Sequence, residues 1–201
     1  MKIHWFILSA AIIGVFIISV GCTTTTPASS QSPDLLQTTY LQTASTAPSS
    51  VFRIRIDSLD TGSVLADIYT CKGAGESPPV FWDGIPQGTK SLVLILDDPD
   101  APDGIFTHWI VYNIPTKSGE LAQAQPHTKV LANGAQQGVT STGTRGYHPP
   151  CPPIGTMHRY MFRLYAVDMD ITQPTADRDS IDWALTGHTI AQTEFITTFR
   201  R

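Results

Sequence analysis

Three residues stand where they could do chemistry together: Asp98, His108 and His158. Asp98 lies in Asp97-Asp98-Pro99-Asp100-Ala101-Pro102, an acidic loop stiffened by two prolines. His108 opens an apolar run that continues to Ile114. His158 opens His158-Arg159-Tyr160, directly after the proline-dense stretch Tyr147–Thr156. Taken singly, each imidazole is best read as an ordinary core histidine. Two of them beside rigid proline loops shift the balance toward a pocket. A carboxylate with a histidine is also two-thirds of a hydrolytic triad, but no Gly-x-Ser-x-Gly elbow supplies a nucleophile. A metal site from His108, His148, His158 and Asp98 lacks the short ligand spacings such sites use. No catalytic residue, cofactor or metal is therefore expected.

The elements that must position these residues are strands. Leu92–Leu96 is a short apolar run with the length and composition of a buried strand, and His108–Ile114 is its partner beyond a turn at Gly104. Val51–Ile56 alternates as a half-buried strand does. Val64–Tyr69 and Val80–Trp82 read as short strands, and Met161–Val167 as a strong one. In a strand His158 and Tyr160 share one face and Arg159 takes the other. Ala122–Thr144 has no sustained period and reads as a long surface excursion. Asp179–Leu185 has helical spacing, with Asp179 or Ser180 as its cap and Gly187 at its end. Ile190–Phe195 reads as more helix and Phe195–Phe199 equally as a last strand. Trp82, Trp109 and Trp183 read as core or pocket walls. Many short strands and few helices predict a β-sandwich.

Composition bounds the rest. The chain has 201 residues, 41% hydrophobic and 15% charged, with a formal net charge of -4. That is enough for one well-buried domain plus a tail. No basic run exists, so a nucleic-acid partner is not expected. Residues 1–22 read as a signal peptide: the apolar run Trp5–Val20 ends in Ser19-Val20-Gly21-Cys22, which resembles a lipobox. In lipoproteins the Cys becomes the lipid-bearing first mature residue, which would anchor the chain to the membrane through Cys22. The other reading is an uncleaved anchor helix. Both put the body of the chain outside the cytoplasm. Residues 23–50, rich in Thr, Ser, Gln and Pro, cannot bury enough surface to fold and read as a tether. The domain is 51–201. Two cysteines remain, Cys71 and Cys151. A bridge between them and two unrelated buried thiols are both open.

The ordered set Ser77-Pro78-Pro79, Gly88-Thr89-Lys90-Ser91, Asp98-Pro99-Asp100-Ala101-Pro102, His108-Trp109-Ile110-Val111, Cys151-Pro152-Pro153, His158-Arg159-Tyr160 and Gly187-His188-Thr189-Ile190-Ala191 resembles the phosphatidylethanolamine-binding protein family, in its prokaryotic Raf-kinase-inhibitor-like (YbhB/YbcL) branch. The resemblance spans about 51–201. It implies a mainly β Greek-key sandwich with a few short helices, one or two near the C-terminus. It implies a small pocket for an anion, typically a phosphate or phosphorylated head group, lined by Asp98, His108, Pro153, His158 and Tyr160. Imidazoles and a phenol donate to anion oxygens, and backbone N–H groups of the loop around Gly155 would add a cradle. Asp98 would hold a histidine by its second nitrogen or accept an ammonium group. With histidines near their ordinary pKa of about 6.5, phosphate affinity is expected to fall as pH rises through about 6–7. Asp100 and Arg159 would form a buried pair joining the two halves. The sequence departs from the family at His148-Pro149-Pro150, where Gly-Pro is usual before Cys-Pro-Pro, and at Gly75, where Asn is frequent. The alternatives to a binding module are an inhibitor of a protease or kinase with an incidental pocket, and a weak hydrolase. No residue names a protein partner.

Overall fold

A computed structural model of the chain describes residues 51–173 and 175–201. The lipobox with Cys22 and the tether over 23–50 lie outside them. In chain order the elements are β1 (Arg53–Ile56), β2 (Val80–Asp83), β3 (Ser91–Asp98), β4 (Phe106–Pro115), β5 (Glu120–Leu121), β6 (Gln136–Gln137), β7 (Met157–Val167), α1 (Arg178–Leu185) and β8 (Thr189–Arg200). A 3-10 turn covers Asp67–Tyr69.

The strands form two antiparallel sheets. One is β1-β2-β5, the other β6-β4-β3-β7-β8. After the β3–β4 hairpin and β6, the chain returns to lay β7 beside β3, which is the Greek-key crossing. Ile54, Ile56, Val80 and Trp82 of the small sheet pack against Leu92, Leu94, Leu96, Trp109, Phe162 and Leu164 of the large one. The other face of the large sheet is covered too. Val93, Ile95, Ile110 and Tyr112 pack with Ile171, Ile181, Ala184 and Leu185 from α1 and its approach. This double burial explains why Leu92–Leu96 is apolar without alternation: every residue of β3 is buried.

Three sequence expectations change. Val64–Tyr69 is not a strand. Val64 makes one bridge to Thr198, and the chain then closes locally, with Thr70 N–H donating to Asp67 O. The helix stops at Leu185, and Thr189–Arg200 is one long strand paired along the whole of β7. Gly187, at φ 79°, makes the reversal, a left-handed conformation that glycine adopts without strain. Trp183 is neither core nor wall of the candidate pocket: it is 70% exposed on α1.

The excursion between β5 and β7 is held by one buried amide. Gln137 is fully buried. It accepts from Trp109 Nε1 at 2.7 Å and donates to the carbonyls of Pro126 and Thr128. Its bonds replace the pairing that an irregular segment lacks.

Candidate functional site

The pocket forms where β3, β4 and β7 reach the same end of the large sheet. Asp98 is the last residue of β3, and His108 the third of β4. His158 is the second of β7. The cavity is about 330 Å³ and is lined by these three, by Ala101 and Pro102 after β3, by Phe106, and by His148, Pro149 and Cys151–Pro153 from the loop before β7.

Each imidazole is oriented from behind. His108 is 4% exposed, and its Nδ1–H donates to the His148 carbonyl at 2.8 Å. The His148 N–H returns a bond to the His108 carbonyl at 2.8 Å, so strand and loop clasp reciprocally. Nδ1–H of His158 donates to Asp98 Oδ2 at 2.8 Å, while Asp98 Oδ1 accepts the Asp100 N–H at 2.9 Å. Asp98 thus fixes both the second histidine and the start of the proline loop. Burial, only partly offset by the His148 carbonyl, holds the His108 pKa down at about 4. His148 is lowered as well, by burial and then by His127. The expected titration near pH 6–7 therefore does not apply to His108 in the free pocket.

Asp98, His108, Pro153 and His158 all line one cavity. Tyr160 does not: it is fully buried behind the floor, edge-on to the His108 ring at 5.4 Å between centroids. Its hydroxyl has no hydrogen-bond partner among the described residues, and burial and then the Asp98 charge raise its pKa. The expected cradle of N–H groups at Gly155 is also absent from the lining, because Gly155 N–H donates to Arg201 O. Pro102, Pro149, Pro152 and Pro153 form much of the wall and have no N–H to give. Phe106 went unnoticed in the sequence, although two residues before His108 on a strand is the same face. Its ring lies 4.6 Å from that of His108.

Asp100 and Arg159 do pair, with Arg159 N, Nε and Nη2 donating at 2.9, 2.9 and 2.6 Å. The pair is not buried as expected: the side chains are 29% and 55% exposed. The guanidinium holds the Asp100 carboxyl down at about 2. As the strand period requires, Arg159 points away from the face of His158. Cys71 and Cys151 are bridged, with Cα atoms 5.3 Å apart across 80 residues of sequence. The bridge backs the pocket loop, and Cys71 N–H donates to Pro150 O beside it.

The family model for phosphatidylethanolamine-binding protein matches residues 55–200, most of the chain. The chain belongs to the phosphatidylethanolamine-binding protein family. Relatives include a UPF0098 protein of Methanothermobacter thermautotrophicus, 46% identical over 135 residues, covering 66% of this chain and 88% of that one. A UPF0098 protein of Aquifex aeolicus is 40% identical over 147 residues, 72% of this chain and 85% of the relative. Among solved structures, the phosphatidylethanolamine-binding protein homologue CT736 of Chlamydia trachomatis superposes with a TM-score of 0.68 at 35% identity, covering 75% of this chain and 97% of that one. YbcL of E. coli, described as a member of the mammalian family, gives 0.68 at 29% identity over 75% and 98%. Within this phosphatidylethanolamine-binding fold the two departures from the usual family pattern meet each other. Gly75 has φ 69°, and a Cβ there would lie 3.3 Å from Pro149. The rim substitution at 148–150 is thus accommodated by the glycine behind it.

Proposed function

We propose that this chain is a membrane-tethered binding protein whose pocket takes a small anion, either phosphate or a phosphorylated head group. The observation that carries this reading is the pair His108 and His158. Each ring is anchored through Nδ1, and both line one cavity of about 330 Å³ closed by proline loops. Two imidazole edges held in place at the wall of a small, preformed cavity suit a compact, oxygen-rich ligand. Binding rather than catalysis is favoured because the one thiol in the lining, that of Cys151, is held in the disulfide. That bridge also supports residence in an oxidising compartment, consistent with the lipobox-like sequence at Cys22. In this reading ligand occupancy regulates a partner protein.

The test is a titration of the protein with phosphate, phosphoethanolamine and acetate, followed at the imidazole Cε1–H resonances. Saturable shifts at both His108 and His158 are expected. If both stay still at millimolar ligand, the pocket is a structural remnant and not a binding site.

A further inference from the structure

Trp183 is 70% exposed, while Trp82 and Trp109 are buried. It stands on α1, whose Ile181, Ala184 and Leu185 face the core. A large apolar side chain left in water is the informative exception on a protein surface. This one borders a second cavity, of about 420 Å³, lined also by Met169, Thr172, Gln173, Thr186 and His188. That volume is within the range of about 300–1,000 Å³ usual for small-molecule sites. The cavity lies beyond the far end of β7, roughly 30 Å from His158 at about 3.3 Å per residue, so it is separate from the anion pocket.

Its walls are held in place. The Asn113 side chain grips the backbone just before Thr172 from both sides, donating to the Ile171 carbonyl at 2.9 Å and accepting the Ile171 N–H at 2.7 Å. The Met169 carbonyl accepts from Ser91 Oγ at 2.7 Å. His188 Nδ1–H donates to Asp168 Oδ1 at 2.8 Å, and the Asp168 N–H donates to the His188 carbonyl at 3.2 Å. Thr186 Oγ1 donates its hydrogen to the Asp182 carbonyl at 3.0 Å, which leaves its lone pairs open. The side chains of Thr172 and Gln173 bond to no other described residue.

Among the described lining residues none is Lys, Arg, Asp or Glu, so no fixed charge selects an ion. Trp183 is the one large exposed apolar side chain in the lining, whereas the centre of a protein interface gathers several. What remains is one flat apolar face bordered by hydroxyl, amide and imidazole groups. We propose that this cavity is a saccharide site, in which the C–H face of a neutral pyranose stacks on the Trp183 indole and its hydroxyls bond to Thr172, Gln173, Thr186 and His188. A hydroxyl both donates and accepts. It therefore meets the Thr186 lone pairs, both ends of the Gln173 amide, and His188 Nε2 whether or not that nitrogen carries a proton. Binding changes no covalent bond.

The test follows the tryptophan indole N–H peaks of the full, isotope-labelled chain by NMR. Cellotetraose, maltotetraose and chitotetraose are the probes, and choline and adenosine are rivals of other chemistry. At least one saccharide is expected to move the Trp183 peak saturably at millimolar concentration and to leave those of Trp82 and Trp109 still. In the variants, binding is read by saturation transfer to the saccharide. Trp183→Ala should weaken it at least about tenfold, and Gln173→Ala about threefold or more. Both side chains lie outside the core clusters, so the fold persists, and unmoved Trp82 and Trp109 peaks verify it. A Trp183 peak that stays still with all three saccharides overturns the proposal. So does a shift with choline, adenosine or phosphoethanolamine and none with a saccharide, or a saccharide bound as tightly by Trp183→Ala as by the wild type. The anion titration reads His108 and His158 instead, so either site can fail without the other.

Discussion

His108 shows how far a residue's neighbours can move it from its type. Its pKa falls from 6.5 to about 4 because burial penalises the imidazolium. Between those values the unfolded chain binds the proton and the folded chain does not. Stability is therefore complete above pH 6.5 and is lost as pH falls toward 4. The contribution is on the order of 3 kcal/mol, at roughly 1.4 kcal/mol for each pH unit between those two values. Denaturant unfolding in ligand-free buffer at pH 7 and pH 4.5 should show this loss in the wild type. His108→Gln should show a smaller loss over the same range, and equal losses would refute the assignment. Asp98, His108 and His158 were legible in the sequence because prolines flagged their loops. Tyr160 shows that the strand rule is right about faces but silent about depth. It shares the face of His158 and lies two residues further in, under the floor. The depressed His108 was not legible at all, since its burial is completed by a loop 40 residues away.

At the scale of elements, the doublet Asp97-Asp98 is one strand end serving two faces. Asp98 points to the pocket. Asp97, 1% exposed, points the other way and joins four elements. It accepts from Thr107 Oγ1 of β4 at 2.8 Å, from Arg163 of β7 at 3.3 Å and from Arg178 of α1 at 3.2 Å. Arg163 continues to Glu194 of β8, and Arg178 to Asp182 within the helix. Asp97→Ala leaves two guanidinium groups facing a buried gap. A loss of about 3–5 kcal/mol is expected, read as a fall in Tm of roughly 6–20 °C by calorimetry. A fall under about 2 °C would mean the network is dispensable. The sequence reading gave Asp97 no role, although strand alternation puts it on the face opposite Asp98. Their partners were not predictable, because Arg163 and Arg178 reach Asp97 only through long-range pairing. The same non-locality hid the extent of β8. Its register is set by β7, and the local sequence around 190–195 is compatible with helix or strand until that neighbour is present.

For the whole molecule, the sandwich was readable from the spacing of apolar runs and turn residues, and the end that carries the cavity from the two proline loops. The disulfide was one of two open readings, as connectivity depends on loops meeting in space. It spans 80 residues, long enough to restrict the unfolded chain strongly. Within the described residues no helix is long and apolar enough to cross a membrane. Attachment, in the proposed reading, rests on Cys22 alone. Cys22→Ser is expected to move the protein from the membrane fraction to the soluble fraction and to abolish labelling by a fatty-acid analogue. Retention at the membrane with label still incorporated would refute the lipid anchor.

The four prolines in the pocket wall have a consequence for how the site can be observed. Pro102, Pro149, Pro152 and Pro153 carry no amide proton. An amide-detected correlation spectrum is blind to that part of the wall. A ligand seated against those rings has none of their amides to report it. Imidazole carbons and proline methylenes are the nuclei that register occupancy. A fragment screen scored on amide shifts alone would miss contacts made to the proline side of this pocket.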